Sequence, residues 1–178
     1  MTETPEPGLP NAPVEANAGS LDSWDDLQVG FSGNPKAKLD ERGRLKMPSE
    51  FKSFLERKYG KDFNAFFITS QDGQTAEIYP MPEWHQRMAK ILKMPKSHAA
   101  RIKLLEFNNL YGGRADMDPQ GRLLFPDELI EDAGLTGEVK VSGEGSFLRV
   151  TNLKKLRERV KANPLTALEI DSLTEYDL

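Results

Sequence analysis

The stretch Lys36-Ala37-Lys38-Leu39-Asp40-Glu41-Arg42-Gly43-Arg44-Leu45-Lys46-Met47-Pro48-Ser49-Glu50-Phe51 decides the fold, because it returns 78 residues later. The second copy reads Arg114-Ala115-Asp116-Met117-Asp118-Pro119-Gln120-Gly121-Arg122-Leu123-Leu124-Phe125-Pro126-Asp127-Glu128-Leu129. Seven of the sixteen positions are identical, and most others keep polarity or size. An internal repeat of this kind means one structural unit used twice. Whatever Asp-x-x-Gly-Arg does is therefore presented twice per chain.

The motif specifies a turn. Asp at the first position, Pro tolerated at the second and Gly at the fourth fit a type I turn, and Asp118-Pro119-Gln120-Gly121 meets all three conditions. The Asp carboxylate can accept from backbone N–H groups further along the turn, and Gly tolerates the positive φ that short hairpin loops need. Short strands are predicted on either side: 35–39 and 44–47, then 114–117 and 122–125. Pro48 and Pro126 end the second strand of each pair and open a helix, where proline fits the first turn. Phe51, Phe54 and Leu55 give the first helix an apolar face, as Leu129, Ile130 and Ala133 do the second; Gly134 is a stop signal.

The similarity continues at an offset of 72, where Ile68–Tyr79 resembles Lys140–Thr151. The first copy thus carries about six extra residues, placed in a polar loop near Arg57–Asn64. A second hairpin is predicted in each copy, with strands at 65–70 and 75–79, then 138–142 and 147–151. Gln71-Asp72-Gly73 and Gly143-Glu144-Gly145 are the expected turns. Each copy reads ββαββ plus a helix. The first trailing helix begins near Glu83-Trp84 and breaks at Pro95, another runs from Ser97 to Leu110, and the last covers Leu153–Lys161.

Charge is divided unevenly. Residues 1–30 hold six acids and no Lys or Arg, and residues 169–178 hold four acids and no base. Without these ends, 24 bases face 18 acids, so an acidic chain conceals a basic centre able to attract polyanions. The division expected is an acidic, disordered extension at 1–30, a first repeat at 31–95, a second at 96–162 with its leading helix, and a weakly ordered acidic tail at 163–178. Leu21, Trp24 and Leu27 stand at helical spacing and could form a short docking helix. No apolar run approaches membrane-span length, and the N-terminus lacks the pattern of a signal peptide. The absence of cysteine excludes disulfides and thiolate metal sites and fits a cytoplasmic protein.

Catalysis finds little in these residues. Asp40 and Asp118 could be imagined as an acid/base pair, but closing a turn accounts for both. His85 and His98 are the only histidines and have no metal-ligand spacing. No catalytic residue, metal, cofactor, membrane or small-molecule substrate is expected. Basic helices at Trp84–Leu105 and Leu153–Lys161 are read as solvated faces. The hairpins carry the more specific signal. Lys36, Lys38, Arg42, Arg44 and Lys46 crowd the first motif, and Arg114 and Arg122 mark the second. A two-stranded ribbon is narrow enough for a major groove, and Arg can chelate guanine or a phosphate. Arg44 and Arg122 could equally pair with Asp40 and Asp118, and Asp could thereby aim Arg at DNA.

At these residues the chain resembles the MraZ family of bacterial proteins, over about Phe31 to Lys161. The resemblance rests on Phe31-Ser32-Gly33, Leu39-Asp40-Glu41-Arg42-Gly43-Arg44-Leu45, Met47-Pro48, Ile78-Tyr79-Pro80 with Glu83-Trp84, then Met117-Asp118-Pro119-Gln120-Gly121-Arg122-Leu123, Phe125-Pro126 and Ala133-Gly134-Leu135. It implies an α+β, β-rich fold of two tandem swapped-hairpin repeats, related by a pseudo-two-fold and similar to AbrB-type DNA-binding domains. It implies a cytoplasmic, nucleoid-associated transcriptional regulator that forms ring-shaped homo-oligomers and binds double-stranded DNA at repeated sites in its own promoter. Division and cell-wall genes would be its targets. The DNA-binding positions expected are Arg42, Arg44, Arg122, Lys36, Lys38 and Arg114, with Asp40, Gly43, Asp118 and Gly121 shaping the loops. Ser32 and Gln120 depart from the family pattern by replacing basic residues, and the long acidic N-terminal extension is atypical. The competing reading is an antitoxin-like protein-interaction module.

Overall fold

The structure, a computed structural model, describes residues 30–177. The acidic extension, with the helix considered for Leu21, Trp24 and Leu27, lies outside the described residues apart from Gly30.

The element order follows the repeat. Repeat one gives β1 (Lys36–Lys38), β2 (Arg44–Lys46), α1 (Ser49–Tyr59), β3 (Ala65–Thr69), β4 (Ala76–Pro80) and α2 (Met81–Lys93). After α3 (Ala99–Tyr111), repeat two gives β5 (Gly113–Asp116), β6 (Arg122–Leu124), α4 (Asp127–Ala133), β7 (Glu138–Glu144), β8 (Phe147–Asn152) and α5 (Leu153–Ala162). The fold is α+β with antiparallel pairing throughout.

The pairing departs from two self-contained hairpins per repeat. The described strands form a six-stranded sheet in the order β1-β7-β8-β4-β3-β5 and a separate two-stranded ribbon of β2 and β6. Exchanging the repeats turns the larger order into its own reverse. The first strand of each repeat joins the second hairpin of the other: Ala37 faces Val139, and Ala115 faces Phe66. Within the first motif only Leu39 and Leu45 bridge before the strands diverge. Both repeats consequently feed one core, in which Leu45, Phe66, Ile68, Ile78, Leu123, Leu129, Val139, Val141, Leu148 and Val150 are fully buried.

Several local features differ from the sequence expectation. The extra residues of repeat one are largely helical: α1 has 11 residues and α4 has 7, so part of the insertion near Arg57–Asn64 is an added turn rather than loop. Gly143 lies inside β7 rather than in a turn. The chain from Phe31 to Pro35 runs along that strand, with Gly143 N–H donating to the Gly33 carbonyl at 2.8 Å and Val141 N–H to Pro35 at 3.0 Å. A Cβ at Gly143 would stand 2.6 Å from the Phe31 and Ser32 backbone, so glycine permits this approach. At the C-terminus, a segment expected to be weakly ordered carries α6 (Ala167–Ser172) and a 3-10 turn at Leu173–Tyr176. Thr166 and Glu169 form a reciprocal capping box at its start.

Candidate nucleic-acid interface

The two Asp-x-x-Gly-Arg loops close in the same way. In the first, Asp40 N–H donates to the Arg44 carbonyl at 2.9 Å, and Gly43 N–H donates to the Asp40 carbonyl at 3.0 Å. Asp40 Oδ1 accepts from the amides of Arg42 and Arg44, both at 3.0 Å. Its Oδ2 accepts from Arg44 Nε at 2.8 Å and sits 2.7 Å from Nη2. In the second, Asp118 Oδ1 accepts from the amides of Gln120 and Arg122 at 2.9 Å, and Oδ2 accepts from Arg122 Nε at 2.7 Å. Gly43 and Gly121 hold φ of 73° and 75°, a region that costs other residues about 1–2 kcal/mol. The carboxylate thus both closes the turn and grips the arginine; the two readings of the motif coexist.

These bonds set the charge of the carboxylates. The Arg44 guanidinium, and then the Arg44 amide, lower Asp40 from its ordinary 3.8 to about 2. Desolvation pushes Asp118 upward, but hydrogen bonds from the Arg122 amide and guanidinium outweigh it and hold that carboxyl below its usual range. Both are anions at neutral pH. Each is a fixed counter-charge that holds its arginine in place.

Strand exchange then determines which side chains share a surface. In the β2/β6 ribbon Leu45 faces Leu123, both fully buried, so by strand alternation the residues on either side point outward. Arg44 stands opposite Leu124, and Lys46 opposite Arg122. The loops lie at opposite ends: Met47 N–H donates to the Gly121 carbonyl at 2.8 Å, and Phe125 N–H to Gly43 at 3.0 Å. The outward face therefore holds Arg44, Lys46 and Arg122, with Leu124 as its fourth member. An arginine has five N–H donors, and Asp40 takes only those of Nε and Nη2 in Arg44, leaving donors for an outside acceptor. In Arg122, Nη2 also donates to Gln120 Oε1 at 2.6 Å, so Gln120 occupies part of that guanidinium.

The expected positions do not all meet there. Arg42 is exposed in the first loop, beside the ribbon. Lys36 and Lys38 lie on β1, at one edge of the six-stranded sheet, and Lys36 faces Lys140. Arg114 lies on β5, at the opposite edge, with Asp116 Oδ1 at 3.3 Å. Lys46, grouped by sequence with the first motif, is brought opposite Arg122 instead; only the register could reveal this. An open groove of about 1020 Å³ is lined by the first loop, including Arg42 and Gly43, and by Ile130 of α4 with Leu135 and Thr136 beyond it.

Basic residues on the helices are partly committed to packing. The Arg87 guanidinium lies 5.3 Å from the centre of the Tyr79 ring, Arg101 donates to the Met94 carbonyl at 2.6 Å, and Lys155 Nζ donates to the Ala133 carbonyl at the end of α4. His98 accepts from the Ala100 amide at the start of α3, and His85 is exposed on α2. Among the described residues no group of three or more His, Cys, Asp or Glu side chains could hold a metal ion, and no helix is long and apolar enough to cross a membrane.

No protein-family model matches the chain. Curated relatives do. It is 42% identical over 148 residues to the transcriptional regulator MraZ of Acidobacterium capsulatum, covering 83% of this chain and 99% of that protein. It is 38% identical to the protein of the same name from Koribacter versatilis, with the same coverage. The MraZ of Nitratidesulfovibrio vulgaris is 31% identical, over 82% of this chain and 91% of that one. These relatives are named as transcriptional regulators, not as enzymes.

Proposed function

The chain belongs to the MraZ family of transcriptional regulators, and from that membership we propose that it is a sequence-specific binder of double-stranded DNA. The β2/β6 ribbon is its reading element. The observation that carries this is the outward face of that ribbon: Arg44 and Arg122, each buttressed by its own aspartate, stand at its two ends, and Lys46 lies directly opposite Arg122. A buttressed arginine loses less freedom on binding and presents a preset fork to guanine or phosphate. In this reading the two repeats are swapped-hairpin units of the AbrB type, which the exchange of first strands between repeats supports.

The binding sites would be repeats in the protein's own promoter, and the genes controlled would serve division and the cell wall, as the family resemblance implies. Its place would be the cytoplasm, at the nucleoid. One ribbon is a small contact, so useful affinity requires several chains on one DNA, as in a ring-shaped homo-oligomer. The outer edges of β1 and β5, which no described strand pairs, together with exposed Leu92, Ile102 and Leu110, provide surface for such contacts.

A titration against DNA from upstream of its gene, at two salt concentrations, tests the proposal. Phosphate contacts release counterions, so log K should fall with log salt by roughly 0.9 per contact. Preference for the promoter over scrambled DNA, with that salt dependence, is the expected result. Equal affinity for both sequences, or binding that ignores salt, would refute it. Light scattering at micromolar concentration should show an assembly larger than one chain.

A further inference from the structure

The ribbon face is symmetric in its backbone and asymmetric in its chemistry. The position that holds Lys46 in β2 holds Leu124 in β6. Leu124 is 57% exposed, directly opposite Arg44, on a surface whose other three members are cations. We infer that Leu124 is a specificity residue that contacts the C5-methyl group of a thymine beside the base read by Arg44, so that the ribbon reads an asymmetric sequence. This deepens the DNA-binding reading and rests on it.

Two observations favour DNA over a protein partner as the occupant of this face. Among the described residues the other large exposed apolar side chains lie on α2, α3, α5 and the C-terminal segment, none of them on the ribbon. A protein interface prefers an apolar patch with few charges at its centre, and a single leucine among Arg44, Lys46 and Arg122 is the reverse. Those three cations match a polyanion. In the major groove, thymine alone of the four bases offers a methyl group, and an apolar side chain is its natural complement. The other end of the ribbon pairs Arg122 with Lys46, a combination suited to guanine or phosphate. Each end would thus take a different base step, and the duplex would be bound in one orientation.

The test replaces thymines of the binding site one at a time by deoxyuridine, which lacks only the methyl group, and measures affinity at fixed salt. With the parent chain, one substitution per site should weaken binding about fourfold, the worth of one buried methyl. Leu124→Ser should bind the thymine duplex about as weakly as the parent binds that uracil duplex, and should no longer distinguish the two. Leu124→Lys, which copies Lys46, should keep or raise affinity while losing the thymine preference. Leu124 is exposed, so neither change should alter folding or assembly, which melting and light scattering check. Equal binding of all duplexes by the parent chain, or a thymine preference that survives in both variants, overturns this inference alone. Absence of DNA binding by the parent overturns the inference and the function on which it rests.

Discussion

The loops Asp40–Arg44 and Asp118–Arg122 have the same backbone and different company. Five residues close each in the same hydrogen-bond pattern, with Asp, Gly and Arg in the same roles. Around that frame the copies diverge. Arg42 in the first loop becomes Gln120 in the second, where it bonds to the arginine it accompanies. Lys46 becomes Leu124. The residue that a Cβ on the glycine would meet is Ile130 for the first loop, at 2.5 Å, and its repeat equivalent Lys52 for the second, at 4.0 Å. The difference separates what the fold requires twice from what recognition can vary: the carboxylate, the glycine and the clamped arginine recur, whereas the charges around them do not.

The two arginines should show the largest contrast. Removing a guanine- or phosphate-chelating arginine costs about 1–3 kcal/mol per contact, multiplied across the subunits on one DNA. Arg44→Ala should therefore abolish detectable promoter binding and leave assembly intact. Arg122→Ala should weaken binding less, because Gln120 already holds one of its nitrogens. Gel shifts of the two variants side by side check this, and an Arg122 effect equal to or above that of Arg44 would break the asymmetry.

Stability should divide the glycines. Gly121→Ala should cost about 1–2 kcal/mol, from positive φ alone. Gly43→Ala should cost more, because its new methyl must also displace Ile130 Cδ1. Denaturant unfolding measures both, and an added Ile130→Ala should narrow the gap between the two glycine variants.

A smaller effect is expected from Gln120→Arg, which restores the charge found at Arg42. It should steepen the salt dependence of DNA binding by about one phosphate contact per engaged loop. An unchanged slope would mean that the second loop does not approach the DNA backbone.

Acid should give the smallest signal. Asp40 has a depressed folded-state pKa, so its contribution is fully present above its ordinary 3.8 and is lost as pH falls through about 2. The melting-temperature gap between the parent and Asp40→Asn should hold steady above pH 3.8 and close as pH falls toward 2. Asp118→Asn should behave in the same direction.

Much of this was readable in the chain because it is local. The repeat gave the element order, and Asp and Gly in the motif specified the turn, whose closure needs only five residues. The partners of β1, β2, β5 and β6 were not readable, since three- and four-residue strands carry too little pattern to fix a register. The motif therefore looked like two separate ribbons, and Lys46 looked like a companion of Arg44. Gly143 resembles a turn glycine because Glu144 and Gly145 follow it; its actual duty, admitting the Phe31–Pro35 segment, is a long-range contact. The start of the C-terminal helix has a local signal, since Thr166-x-x-Glu169 is a capping-box pattern.

The claim at the centre of this account is that DNA lies on the β2/β6 ribbon and not on the basic helices. A photoreactive side chain placed at Lys46, and separately at Arg157 on α5, measures this directly when each protein is irradiated with promoter DNA. Strong cross-linking from position 46 and little from position 157 is the expected result. Cross-linking from 157 with none from 46 would contradict it and move the reading surface to the helices.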